Sequence, residues 1–227
     1  MRDGRGGTSR ILGTAVATAL VLVATRTPSV AAGGTSVDAH ELVAQLTART
    51  ASVASYSADI SLHVALHSFP FLRLSVGGST SYQQPGQYAV SLRTLPAIAH
   101  ALHDVSGDAG DPNVWAHRFD IATDPTAQVP AGLVALRMTQ KIHGRIDHIE
   151  AYVDTATLTV CRMEWYYDDG GHIFVDDHYA MVGSVLMVDH QDAEIEMPGV
   201  RASASSDISN YVIQSVVVAS NASATAR

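Results

Sequence analysis

The sequence predicts a mainly β fold (α+β): one antiparallel sheet that curls or closes, with one or two packing helices. Three observations predict it. Residues 56–67 alternate almost strictly, with Tyr56, Ala58, Ile60, Leu62, Val64 and Leu66 on one parity and Ser57, Asp59, Ser61, His63, Ala65 and His67 on the other. That is the period of a strand with one apolar face. Similar strands recur, separated by short Gly, Pro, Asp and Asn turns. Helical spacing is confined to two stretches, residues 37–54 and 96–105.

The first segment reads as an address. Arg2, Arg5 and Arg10 precede a 15-residue stretch, 11–25, rich in Ala, Val and Leu, and Val30-Ala31-Ala32 offers small residues before Gly33. This is the pattern of a cleavable secretory signal over residues 1–32, the rival being a retained anchor. The apolar run is short for a spanning helix. Arg2 and Arg5 are not adjacent, so twin-arginine export is unsupported, and no Cys near the cleavage site supports a lipoprotein anchor. Cleavage after Ala32 removes four Arg and one Asp, changing the formal net charge from −8 to −11. That sign disfavours nucleic acid and anionic membrane surfaces as partners. Residues 33–218 read as one domain and 219–227 as a frayed tail. Cys161 is the only cysteine, so no internal disulfide forms and the core must supply stability. It alternates with Met163 and Trp165, which fits a buried, inert thiol.

In chain order, Ser36 is the expected N-cap of a helix over 37–54, with Asp38 in its first turn and Leu42, Val43, Leu46 and Val53 as its apolar stripe. The even-numbered apolar parity resumes at Leu72, Leu74, Val76 and Tyr82, and Gln84-Pro85-Gly86 makes the next turn. Tyr88, Val90 and Leu92 continue it. Pro96 opens the second short helix, and residues 104–112 read as a solvated loop without calcium-loop spacing. Strands are then expected over 114–122, 134–141, 149–153, 158–167, 173–181, 185–192, 193–197 and 208–218. Asp168-Asp169-Gly170-Gly171 is a hairpin signal.

A signal segment, an amphipathic helix, a Tyr56-Ser57-Ala58 strand and the run Tyr82-Gln83-Gln84-Pro85-Gly86-Gln87-Tyr88 together resemble the LolA/LppX-like superfamily of bacterial envelope lipoprotein and lipid carriers. Residues 158–167, Tyr179-Ala180-Met181-Val182-Gly183 and Ser209-Asn210-Tyr211 are similar to the closing strands of its outer-membrane-lipoprotein-sorting relatives. The resemblance spans roughly residues 36–214, in the order of elements more than in identity. It implies a half-open antiparallel β-barrel, with the helices packed on its concave face and an apolar cavity for acyl chains. In the lipoprotein carrier an Arg precedes the turn Pro and holds the lid. Here that position is Gln84, and an amide cannot replace a five-donor cationic fork.

The residues expected to line such a cavity are Ile60, Leu62, Val64, Leu72, Leu74, Tyr88, Val90, Leu136, Met138, Met163 and Trp165, with Gln84, Pro85 and Gly86 as lid or turn. Their rival role is an ordinary filled core. The expected ligand is a lipid or acylated lipoprotein, exchanged with a membrane-protein donor or acceptor by a monomer. An envelope sensor or scaffold that binds a protein is the alternative, and a metal-dependent or serine hydrolase the third reading. Among eleven His, the hairpin group Asp168, Asp169, His172, Asp176, Asp177, His178, Asp189, His190 and Asp192 is the best metal candidate, but turns and edges need such residues anyway. His63 and His67 share a strand face about 13 Å apart. No His-Glu-x-x-His, Gly-x-Ser-x-Gly or phosphate loop is present. The sequence therefore assigns no catalytic residue, no metal and no cofactor.

Overall fold

The computed structural model describes residues 37–68, 72–84, 86–93 and 111–215. The expected signal segment, the helix over 96–105, Pro85 and the tail lie outside the described residues. Helix α1 spans Ala39–Thr50, and α2 spans Pro112–Arg118. The strands are β1 Val53–Leu66, β2 Leu72–Gln83, β3 Gln87–Leu92, β4 Phe119–Thr123, β5 Leu133–Gln140, β6 Ile146–Asp154, β7 Thr159–Tyr167, β8 His172–Val182, β9 Val185–Met197 and β10 Val200–Ser215. They form one antiparallel sheet in the order β3-β2-β1-β10-β9-β8-β7-β6-β5-β4, which does not close.

Helix α1 starts at Asp38, not Ser36. The Asp38 carboxylate accepts from the backbone N–H of His40 at 2.8 Å and of Glu41 at 3.2 Å, satisfying two of the donors a helix start leaves free. Ala39, Leu42, Val43 and Leu46 form its buried stripe, at the spacing of one helix face. Val53 belongs to β1 instead.

The stretch 112–118, read from sequence as loop and strand, is helical. Asp111 caps it, Pro112 occupies its first turn, and Trp115 is fully buried. The alternation Trp115, His117, Phe119, Ile121 holds as a strand only from Phe119 onward, because the cap and proline commit the preceding turn to helix. Two further differences concern the end of the chain. The short strands expected at 185–192 and 193–197 are one strand, and β10 begins at Val200, eight residues before the apolar pattern does. Its first half carries Ala202, Ala204 and Ser206 on one face, small residues that give little hydropathy signal.

Register explains where the core sits. One row runs across nine strands: Leu72, Leu66, Ala202, Ile195, Ile173, Trp165, Ile149, Met138 and Ile121. The next row is Leu74, Val64, Ala204, Ala193, Val175, Met163, Ala151, Leu136 and Thr123. Both lie on the face that packs against the buried stripe of α1 and Trp115 of α2. Because side chains alternate with period two, this one register places every such row on the same inner face.

Candidate ligand-binding face

All eleven residues expected to line a cavity fall on this inner face. Leu72, Trp165 and Met138 stand in the first row, and Leu74, Val64, Met163 and Leu136 in the second. Leu62 opposes Val76, Ile60 opposes Gly78, Val90 opposes Thr80 and Tyr88 opposes Tyr82 on the same parity.

Their environments divide into two halves. Leu136, Met138, Met163 and Trp165 are buried in one contiguous cluster with Leu42, Val43 and Leu46 of α1. Here the sheet is filled. On the wing formed by β1–β3, Ile60, Leu62, Val64 and Leu74 are half-buried. Leu72, Tyr88 and Val90 expose 47%, 37% and 39% of their surface. The wing therefore offers apolar surface that the core does not consume.

Between the halves the face turns polar. In the third row, Leu62 pairs with Ser206, Ser206 with Gln191 and Gln191 with Asp177. The Ser206 hydroxyl donates to Gln191 Oε1 at 3.2 Å, and Gln191 Nε2 donates to Asp177 Oδ1 at 2.6 Å. Burial pushes the Asp177 carboxyl up to about 6, because the charged form loses water that one amide does not replace. Asp176, the neighbour in sequence, points to the opposite face. There it receives Arg162 Nε at 2.6 Å and Nη2 at 2.7 Å, a bidentate pair.

The wing ends in an aromatic group. Tyr56 stacks on Tyr82 at 5.6 Å between ring centroids, Tyr82 meets Tyr88 at 4.7 Å, and Tyr211 sits edge-on to Tyr56 at 5.5 Å. Loss of water around the hydroxyl pushes the Tyr56 phenol up to about 12 and raises that of Tyr88 well above its ordinary value, while the Tyr88 residue as a whole stays 37% exposed. Tyr82 directs its hydroxyl toward the buried Asp111 carboxylate at 3.5 Å. Asp111, read from sequence as part of a solvated loop, thus joins the α2 cap to the tyrosine group.

The C-terminal end of α1 ties the two halves together. Arg49 donates Nη1 to the Leu158 carbonyl and Nη2 to the Leu186 carbonyl, both at 3.1 Å. Leu158 takes φ 52, a left-handed conformation costing roughly 1–2 kcal/mol for a residue with a Cβ, and this turn presents its carbonyl to Arg49. From the other side, Gln84 Nε2 donates to the carbonyls of Thr50 at 3.4 Å and Ala51 at 3.3 Å. These carbonyls end a helix and have no partner within it. Gly86, at φ 65, completes the turn, and a Cβ there would stand 3.0 Å from Val114 and 3.1 Å from the Asp111 carboxylate. Gln84→Ala is expected to cost about 1 kcal/mol and to speed hydrogen exchange at the end of α1. Unchanged exchange there would remove the role of Gln84 as a tie.

The other candidates are placed elsewhere. His63 Nδ1 lies 2.8 Å from Ser75 Oγ and His67 Nε2 lies 3.1 Å from Ser203 Oγ, each histidine with its own serine. Cys161 is half-buried, donates to the Tyr152 carbonyl at 3.3 Å, and its thiol is raised by burial, in keeping with an inert role. An open pocket of about 440 Å³ at the β9–β10 turn, lined by Ser68, Gly170, Met197 and Arg201 among others, shares none of the eleven residues. Sequence reasoning missed Arg49 and Asp111. For Arg49 the only signal was a cation in the last helical turn; for Asp111 it was an Asp directly before Pro112.

No protein-family model matches the chain, and neither does any curated protein sequence. Solved structures do. A DUF1329 family protein from Desulfovibrio piger is similar over 77% of this chain and 91% of its own, with a TM-score of 0.57 and 12% identity. A putative outer membrane lipoprotein-sorting protein domain from Vibrio parahaemolyticus matches over 78% and 92%, with a TM-score of 0.57 and 10% identity. A LolA superfamily protein from Nitrosomonas europaea matches over 78% and 94%, with a TM-score of 0.55 and 7% identity. With an open antiparallel sheet and two helices on its inner face, the chain has a LolA-like fold.

Proposed function

We propose that this is a non-catalytic protein of the bacterial envelope, exported to the periplasm, that binds and carries a lipid or the acyl chains of a lipidated protein. The observation that carries this reading is the β1–β3 wing: Ile60, Leu62, Val64, Leu72, Leu74, Tyr88 and Val90 share one face and leave apolar surface accessible. Each methylene removed from water contributes about 0.8 kcal/mol, so a 16-carbon chain gains on the order of 12 kcal/mol when fully covered. No catalytic group is needed for that. The lipoprotein-sorting description of one similar structure agrees with this ligand class.

A protein-binding role is the second reading, favoured by β3. Among the described residues β3 pairs only with β2, and Gln87–Leu92 carries no charge, so its edge is open to an added strand.

The test is native mass spectrometry of the chain purified without detergent, before and after organic extraction, with uptake of a fluorescent fatty acid alongside. A released lipid mass is expected. Leu72→Glu and Val90→Glu, at exposed positions that spare the core, are expected to lower uptake at least tenfold. A clean protein mass with no uptake would transfer the weight to the protein-binding reading.

A further inference from the structure

The histidines and acids on the outer face of β8–β10 satisfy one another. Asp192 Oδ2 lies 3.2 Å from His190 Nε2 and 3.7 Å from His178 Nε2, and Asp207 holds His190 Nδ1 at 2.7 Å. Among the described residues no group of His, Cys, Asp and Glu can hold a metal ion. The two edges of the sheet are less evenly served. Each edge of an open sheet is a row of backbone N–H and C=O groups able to recruit another strand. Strand β4 guards its edge: it is five residues long, follows directly on α2 and carries the exposed acid Asp120. Strand β3 has no such device. Among the described strands, Gln87–Leu92 alone lacks Asp, Glu, Lys, Arg and His, and it contains no Pro. In a chain of net charge −8, it is the strand that two copies can align without opposing like charges.

The backbone selects a register for such a pairing. The Arg93 N–H donates to the Gly77 carbonyl at 3.1 Å, in line with the pairs Gly78–Leu92, Thr80–Val90 and Tyr82–Tyr88. Hydrogen-bonded and non-bonded pairs alternate along an antiparallel ladder. The odd-numbered residues of β3 therefore bond to β2, and Tyr88, Val90 and Leu92 turn their N–H and C=O groups outward. An antiparallel copy serves all three when Val90 opposes the partner's Val90 and Tyr88 opposes the partner's Leu92. This register also keeps parity, so the even positions of both copies stay on the inner face. There apolar residues meet apolar residues, and Tyr88 and Val90 are among the large apolar side chains that the single chain leaves exposed. On the outer face Ala89 opposes the partner's Ser91, and both are small.

From this geometry we infer that the protein pairs with a second copy of itself through β3, antiparallel about a two-fold axis at Val90, joining two ten-stranded sheets edge to edge. The inference rests on the strand-addition reading of β3 and deepens it, by naming the added strand as this chain's own. The interface is isologous, with the same strand used on both sides, so it closes at two copies and does not propagate. Because the axis stands perpendicular to the sheet, both inner faces stay on one side, and the two β1–β3 wings become one apolar trough. Six strand residues a side fall short of the roughly 20–30 of a standard interface, so the dimer is transient, with a dissociation constant on the order of 100 µM.

Sedimentation velocity of the purified chain, from about 5 µM to about 500 µM, reads the association. The average mass is expected to climb toward that of two chains. Val90→Lys sets two ammonium groups against each other on the axis and should weaken the dimer about tenfold or more. Asp120→Lys, on the β4 edge, should change it less than about twofold. Both positions are exposed, and melting curves check that each variant is folded. Under mild oxidation Val90→Cys should form a disulfide-linked dimer about tenfold faster than the unsubstituted chain, whose single Cys161 is half-buried. Hydrogen exchange at the amides of Tyr88, Val90 and Leu92 should slow as concentration rises. The pairing is overturned if the chain stays monomeric throughout, if Asp120→Lys weakens the dimer as much as Val90→Lys, or if Val90→Cys cross-links no faster than the unsubstituted chain. A monomeric chain whose Val90→Cys variant instead cross-links to a different polypeptide would sink self-pairing and leave strand addition standing. Exchange at the three amides that no concentration or partner slows would sink both.

Discussion

Asp177→Asn is expected to stabilise the protein by about 2–3 kcal/mol near neutral pH and by no more than about 0.5 kcal/mol near pH 4. The reason is linkage. The folded state pushes this carboxyl from its ordinary 3.8 up to about 6, because burial on the inner face penalises the anion. A displacement of that size corresponds to about 3 kcal/mol between the protonated and charged forms. Below the unfolded value the acid is protonated in both states, and its contribution to stability is fully present. As pH rises through the folded value of about 6, the folded protein must ionise a buried group, and that contribution is lost. Asparagine keeps the acceptor for Gln191 Nε2 and removes the charge. Urea melts of both proteins at about pH 4 and about pH 7.5 read the effect. The same gain at both pH values would show that it comes from packing and not from ionisation. An acid kept at this cost beside the apolar wing also has a functional implication. If Asp177→Asn alters fatty-acid uptake as well, the Ser206–Gln191–Asp177 row belongs to the ligand surface.

Trp165→Ala is expected to cost about 4 kcal/mol, and Leu72→Ala less than about 1 kcal/mol. Both stand in the same row on the same face. Trp165 is 5% exposed, with Ile149 on one side, Ile173 on the other and α1 in the same cluster. Its removal leaves a cavity that a rigid sheet cannot collapse. Leu72 is 47% exposed and gives up little on truncation. Equilibrium unfolding of both variants tests whether the inner face is filled at one side and open at the other. A small loss at Trp165 would mean that the interior is hollow there too, and that the binding surface extends across the sheet.

Much of the inner face is legible in the chain itself. The parity of Tyr56 to Leu66 and of Leu72 to Tyr82 is visible because each strand has one wet side, and period two cannot be mistaken over a dozen residues. The opposite orientation of Asp176 and Asp177 follows from the same rule. Helix α2 escapes such a reading because its signal is a cap and a proline followed by residues that also alternate. The first half of β10 escapes it because Ala202, Ala204 and Ser206 are too small to mark a face by hydropathy, although the sheet buries Ala202 and Ser206 almost completely. Neither Arg49 nor Gln84 could be placed, since the carbonyls they serve lie more than 30 residues away in one direction or the other.

The sequence by itself determined which side chains share a face, where most turns fall and that one sheet dominates. These are local matters, set by alternation, by Gly and Pro and by capping within a few residues. Only the tertiary structure decided that β10 inserts between β1 and β9, which half of the inner face is filled by α1 and which is left open, and that His178, His190, Asp192 and Asp207 meet. Those outcomes depend on pairing between strands distant in the chain. Their energy comes from burying whole rows at once, which no single segment of the sequence displays.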